Sequence, residues 1–145
     1  MKKAIALLFS LFAAALLLAG SAAAHCQIPC GIYDDALRMN LIIEHAATIE
    51  KSMQQIAELE KDGNANQLIR WVTNKEKHAD ELQEIVSQYF MTQRITLEAP
   101  DYDKKLAALH KMLVYAMKCK QTIDLANVQS LRQAADEFHD LYFTD

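Results

Sequence analysis

The stretch His25-Cys26-Gln27-Ile28-Pro29-Cys30-Gly31-Ile32-Tyr33 gathers two thiols, an imidazole and a phenol within a few positions. What these groups can do depends on what precedes them. Lys2 and Lys3 open the chain, an apolar run follows from Ala4 to Gly20, and Ser21-Ala22-Ala23-Ala24 closes the segment. A basic start, an apolar run barely long enough for a bilayer and an Ala-x-Ala exit describe a cleaved signal peptide rather than a membrane anchor. A lipid anchor is not expected either, because His25 stands before Cys26 where a lipoprotein signal needs a small residue. Cleavage after Ala24 leaves His25 with a free α-amine beside its own imidazole.

That amine makes a metal site out of an otherwise ordinary peptide. The α-amine, the Cys26 amide nitrogen and the Cys26 thiolate form two fused chelate rings around one ion. Pro29 and Gly31 favour a tight turn that returns Cys30 as a second sulfur. Two nitrogens and two sulfurs in a plane, with the His25 imidazole above, suit a d⁸ or d⁹ ion such as nickel or copper and not tetrahedral zinc. Affinity order favours copper, so the donor set alone does not choose nickel. Two thiolates and a deprotonated amide stabilise a higher oxidation state, which a one-electron redox catalyst needs. A disulfide between Cys26 and Cys30 is the competing reading for an exported chain, but so short a loop constrains little of the unfolded state.

The rest of the chain must hold this segment. Three Gly and two Pro in 145 residues, with abundant Ala, Leu, Glu, Gln and Lys, make it helical. Asp34 caps a first helix reaching about Lys61, with Leu41, Ile42, His45, Ile49, Ile56 and Leu59 on its apolar stripe. Asp62-Gly63-Asn64 stops it. A second helix runs from about Gln67 to Phe90, with Leu68, Trp71 or Val72, Ala79, Leu82, Ile85, Val86, Tyr89 and Phe90 as its apolar positions. The stretch Met91–Pro100 breaks the pattern. A third helix starts near Tyr102 with Leu106, Leu109, Leu113, Met117 and Ile123 on one face, and a break near Leu125–Asn127 precedes a fourth with Val128, Leu131, Ala135, Phe138, Leu141 and Tyr142. The expected fold is all-α: an antiparallel four-helix bundle over residues 34–145, preceded by a metal-binding hook at 25–33 and a removed signal peptide at 1–24.

Without Lys2 and Lys3 the chain has 13 basic against 19 acidic residues, a formal charge of −6. Such a chain is a poor partner for nucleic acid or anionic lipid. His45, His78, His110 and His139 form no Glu-x-x-His or His-x-x-x-His pair, so they read as structural or surface residues, with a supporting role behind the metal's ligands left open. Cys119 lies beside the third-helix stripe and reads as a small, partly buried residue.

His-Cys-x-x-Pro-Cys-Gly-x-Tyr at a processed amino terminus resembles the nickel superoxide dismutase family. The resemblance implies one nickel ion per subunit, held by the His25 α-amine and imidazole, the Cys26 amide nitrogen and thiolate, and the Cys30 thiolate. It implies that Tyr33 stands near the open face, screening small anions and ordering water, and that Ile28–Pro29 is cis. It further implies a homohexamer of four-helix bundles that disproportionates superoxide to oxygen and hydrogen peroxide. The signal segment places this one outside the cytoplasm, in the periplasm or beyond, with no membrane anchor after cleavage. An exported nickel or copper carrier without turnover is the alternative, and an interaction module with a plain disulfide a third. The sequence departs from the family twice. Gln27 stands where Asp is common, and Leu41 stands sixteen positions beyond the first His, where some members orient the imidazole with a Glu. The Arg partner of that Glu has no assured counterpart; His78, Glu44 and Arg70 are candidates.

Overall fold

Each helix begins and ends where local chemistry supplies the missing hydrogen bonds. The computed structural model of the protein describes residues 29–144, and among them four α-helices are found. Helix α1 spans Asp35–Asp62; the Asp34 carboxylate accepts the Leu37 N–H at 2.9 Å, and Gly63, at φ 69°, closes the far end by donating to the Leu59 carbonyl at 3.2 Å. Glycine adopts that left-handed conformation without the steric cost a side chain brings. Helix α2 spans Ala65–Glu84 behind the Asn64 cap. Helix α3 spans Tyr102–Gln121, and α4 spans Leu125–Phe143 behind the Asp124 cap.

The second helix does not stop at Phe90. It continues as a π-helical segment, Ile85–Arg94, which ends when the Ile95 N–H bonds back to the Phe90 carbonyl at 3.0 Å. Thr92 and Gln93 also send side-chain donors back five residues, to the carbonyls of Ser87 and Gln88. Long π stretches are rare and the apolar period used to trace a helix is that of the α form, so the pattern fades at Met91 while the helix goes on.

Cross-helix contacts run in opposite senses along each pair, which makes the neighbours antiparallel. His45 meets His78 while Ser52 meets Asn74, between α1 and α2. Lys75 meets the Cys119 carbonyl while Gln83 meets that of Leu113, between α2 and α3. Asp35 meets Tyr142 while Glu50 meets Arg132, between α1 and α4. The bundle is therefore up-down-up-down with short connections.

Its core holds Met39, Ile42, Ile49 and Met53 from α1, Leu82, Val86 and Phe90 from the second helix, Leu109 and Met112 from α3, and Val128, Leu131 and Phe138 from α4. Phe90 packs edge-on against Phe138 at 4.9 Å and against Tyr142 at 5.5 Å between ring centres. The third helix buries Lys105, Ala108, Leu109, Met112, Ala116 and Cys119, whereas Met117 is exposed and Leu106 and Leu113 are half-buried. Cys119 thus sits on the buried face and is wholly enclosed, not beside it. The buried face runs through two alanines and the cysteine as well as Leu109 and Met112, so a stripe traced through the bulkiest side chains is displaced from it.

Two charged residues are locked into this frame. Lys75, almost fully buried, donates from Nζ to the carbonyls of Cys119 and Lys120 at 2.7 and 2.5 Å, capping the end of α3. Asp35, the first residue of α1, accepts Arg94 through two guanidinium nitrogens, the nearest contact being 2.7 Å, and the Tyr89 and Tyr142 hydroxyls at 2.6 and 2.9 Å. Burial alone pushes the Asp35 carboxyl up, but the hydrogen bonds from Arg94, Tyr89 and Tyr142 and the Arg94 charge outweigh it and hold the group below its usual range. By burial first and the bond to Asp35 second, both phenols are pushed up to about 12.

Candidate metal centre

The chain divides into two compact units, Met1–Tyr33 and Asp34–Asp145. Of the first, Pro29–Tyr33 belong to the described residues. The expected signal segment, the expected ligands His25 and Cys26, Gln27 and the Ile28–Pro29 peptide bond lie outside them.

Within the described part, the turn expected from Pro29 and Gly31 is present. The Ile32 N–H donates to the Pro29 carbonyl at 3.1 Å, and the two central residues, Cys30 and Gly31, have φ of 48° and 87°. Positive φ at both centres is the pattern of a type I′ turn. Gly31 takes it freely; Cys30 bears the cost a side chain carries in the left-handed region, roughly 1–2 kcal/mol. Non-glycine residues held this way concentrate at functional sites, where surrounding contacts hold them. The Cys30 side chain is exposed at this turn. Tyr33 follows between this turn and the first helix and is 39 % exposed. A Cys30 thiolate would be a soft donor of the kind nickel or copper takes.

In the second unit, histidines that read singly as structural come together. His45 on α1 and His78 on α2 face each other with their Nδ1 atoms 2.8 Å apart and their ring centres 5.0 Å apart. Glu81, one turn along α2 from His78, places Oε2 3.7 Å from each of those nitrogens. Lys77 lies 3.6 Å from the other Glu81 oxygen. His45 is 8 % exposed. Burial, then the nearby His78, holds its imidazole below the usual value against the opposing pull of Glu81 and Glu44, so it is neutral at pH 7.

This cluster was within reach of the sequence. His78-x-x-Glu81 is a three-residue pair on one helix face, the reverse of the Glu-x-x-His order, and His45 lies on the apolar stripe of α1. What the sequence does not carry is the pairing of the two faces. Leu41 is half-buried, Glu44 is exposed, and Arg70 lines an open groove with Lys51, Trp71 and Asn74. His110 and His139 are exposed.

A family model, that of nickel-containing superoxide dismutase, matches residues 20–145, which takes in the hook and all four helices. Neither a search of curated proteins nor one of solved structures returns a significant match.

Proposed function

The chain belongs to the nickel-containing superoxide dismutase family, and from this premise we propose that its nickel is held by its own processed amino terminus. As a family member it is an oxidoreductase with nickel as its cofactor and superoxide as its substrate. The finer reading assigns His25, Cys26 and Cys30 as ligands and Tyr33 as the residue that screens the approaching anion. When bound, nickel supplies a one-electron couple that takes an electron from one superoxide and returns it to another.

The chain's own residues have separate tasks in this scheme. Cleavage after Ala24 frees the His25 amine, so one event both exports the chain and completes the donor set. The turn at Pro29–Ile32 presents Cys30 with its backbone fixed by the Ile32-to-Pro29 hydrogen bond. Tyr33 carries a hydroxyl that can order water and pass a proton toward departing peroxide. The reaction forms one oxygen and one peroxide from two superoxides and consumes two protons, so a proton donor beside the anion is a requirement.

The observation that carries this reading is the donor string itself, lying within the matched residues immediately after a cleavage signature. Export to the periplasm or beyond rests on the same signature. Among the described residues no helix is long and apolar enough to cross a membrane. Assembly as a homohexamer draws support from exposed Leu37, Ile43, Ile69 and Val72, apolar surface that copies of the chain would cover. Sedimentation of the loaded protein tests it: a six-chain species is expected, and a monomer removes that part of the proposal.

The deciding experiment compares a chain that begins at His25 with one that keeps Ala24, both reduced and loaded with nickel without oxygen. High superoxide dismutase activity and one nickel per chain are expected of the first, and loss of both of the second. Nickel retained without turnover in the first chain favours the carrier reading and directs attention to Gln27 and Leu41. If neither chain holds nickel, the ligand assignment is wrong.

A further inference from the structure

We propose that His45, His78 and Glu81 form a second divalent-cation site, built inside the bundle without any residue of the hook and suited to a borderline first-row ion such as zinc. The geometry is specific. The three nearest donor atoms, Nδ1 of each imidazole and Oε2 of Glu81, are separated by 2.8, 3.7 and 3.7 Å. A triangle with those sides has a circumscribed circle of about 2.0 Å radius, so one point lies about 2.0 Å from all three atoms, within the roughly 2.0–2.2 Å range of zinc–imidazole and zinc–carboxylate bonds. Moving the ion slightly out of that plane toward a fourth ligand lengthens each bond by about a tenth of an ångström and brings the centre toward a tetrahedron.

The donor types agree with the distances. Two imidazoles and one carboxylate with a position left open form a common divalent-metal set, whereas the hook offers thiolates and suits a different ion. Among the described residues this is the one group of three such side chains that converges. The ligands come from two helices: His45 from α1, and His78 with Glu81 from adjacent turns of α2. An ion bound there clasps the first helix pair. Glu81 is the outermost member, its side chain 41 % exposed against 11 % and 20 % for His45 and His78, so the entry path and the open position lie on its side.

The competing account is that the two nitrogens share one proton and nothing more. It is tested in the chain beginning at His25 with Cys26→Ser and Cys30→Ser, which removes the hook thiolates from the count. This protein is stripped with a chelator and titrated with zinc chloride by calorimetry. One equivalent bound at micromolar affinity or tighter is expected, with a rise in thermal midpoint. Adding His45→Gln or His78→Gln should weaken binding at least tenfold, while His139→Gln should leave it unchanged. No zinc uptake, or uptake indifferent to His45→Gln and His78→Gln, overturns the proposal. Because His45 is buried and its replacement can cost folding, X-ray absorption of the zinc-loaded Cys-to-Ser chain provides a readout that needs no further substitution. A shell of nitrogen and oxygen with scattering from two imidazoles is expected; sulfur in the shell, or no imidazole, rejects the site.

Discussion

Two polar clusters stand on the first helix of this bundle, ten residues apart, and they are completed in opposite ways. At Asp35 every capacity is used: a guanidinium binds the carboxylate through two nitrogens and two phenols add their hydroxyls. At His45 the groups converge without saturating one another, since two ring nitrogens compete for a single proton and the carboxylate stands 3.7 Å from both. A donor–acceptor set that closes on itself fixes the fold. One in which two lone pairs and a carboxylate converge on a single shared proton can exchange that proton for a cation. The difference separates structural polarity from a site, although both clusters are partly buried and both join α1 to distant chain.

The sharpest way to break that contrast is Asp35→Ala. Removing the acceptor leaves the Arg94 charge and two hydroxyls partly buried without it, and a loss of about 3 kcal/mol is expected in urea unfolding. A cost under about 1 kcal/mol would deny the Asp35 cluster its anchoring role.

Protonation tests the same cluster more gently. Because the Asp35 carboxyl is depressed in the folded state, its contribution is complete above the ordinary value of 3.8 and is lost as pH falls through its lower folded value. The phenols act in the other direction. Raised to about 12, Tyr89 and Tyr142 contribute fully below their ordinary value of 10.0, and that contribution is lost as pH rises from there toward 12. Asp35→Asn should flatten the acid limb of stability measured against pH; an unchanged limb would assign it to other carboxylates.

Tyr142→Phe removes one hydroxyl and keeps the ring stacked on Phe138, so about 1 kcal/mol is expected from thermal unfolding. Smallest of all is His78→Gln in the presence of a chelator, with less than about 1 kcal/mol expected because His78 borders solvent and its loss leaves no buried charge unpaired. A large loss in chelator would make the histidine pair a structural clasp and erase the contrast with Asp35.

Much of the bundle can be read from residue order. The Asp34 cap, the Gly63 stop and the stripe Ile42–Ile49–Ile56 of α1 lie where spacing puts them, because caps and apolar faces are local properties. Local reading fails where two elements must be matched. It ended the second helix at Phe90, since the π-helical segment departs from the period being sought, and it therefore left Arg94 outside the helix that delivers it to Asp35. It drew the third-helix face through its bulkiest residues and so missed the enclosure of Cys119.

The sequence by itself determined the helical class and the caps, and it carries the donor set proposed for the amino terminus. These depend on side-chain type and on separations of a few residues, distances the backbone geometry converts directly into space. Only the tertiary structure decided that His45 meets His78, 33 positions on, and that Asp35 meets Tyr142, 107 positions on. A helix's periodicity states which side chains share a face, but the partner of that face is chosen by how all four helices pack, a choice no short stretch of sequence contains.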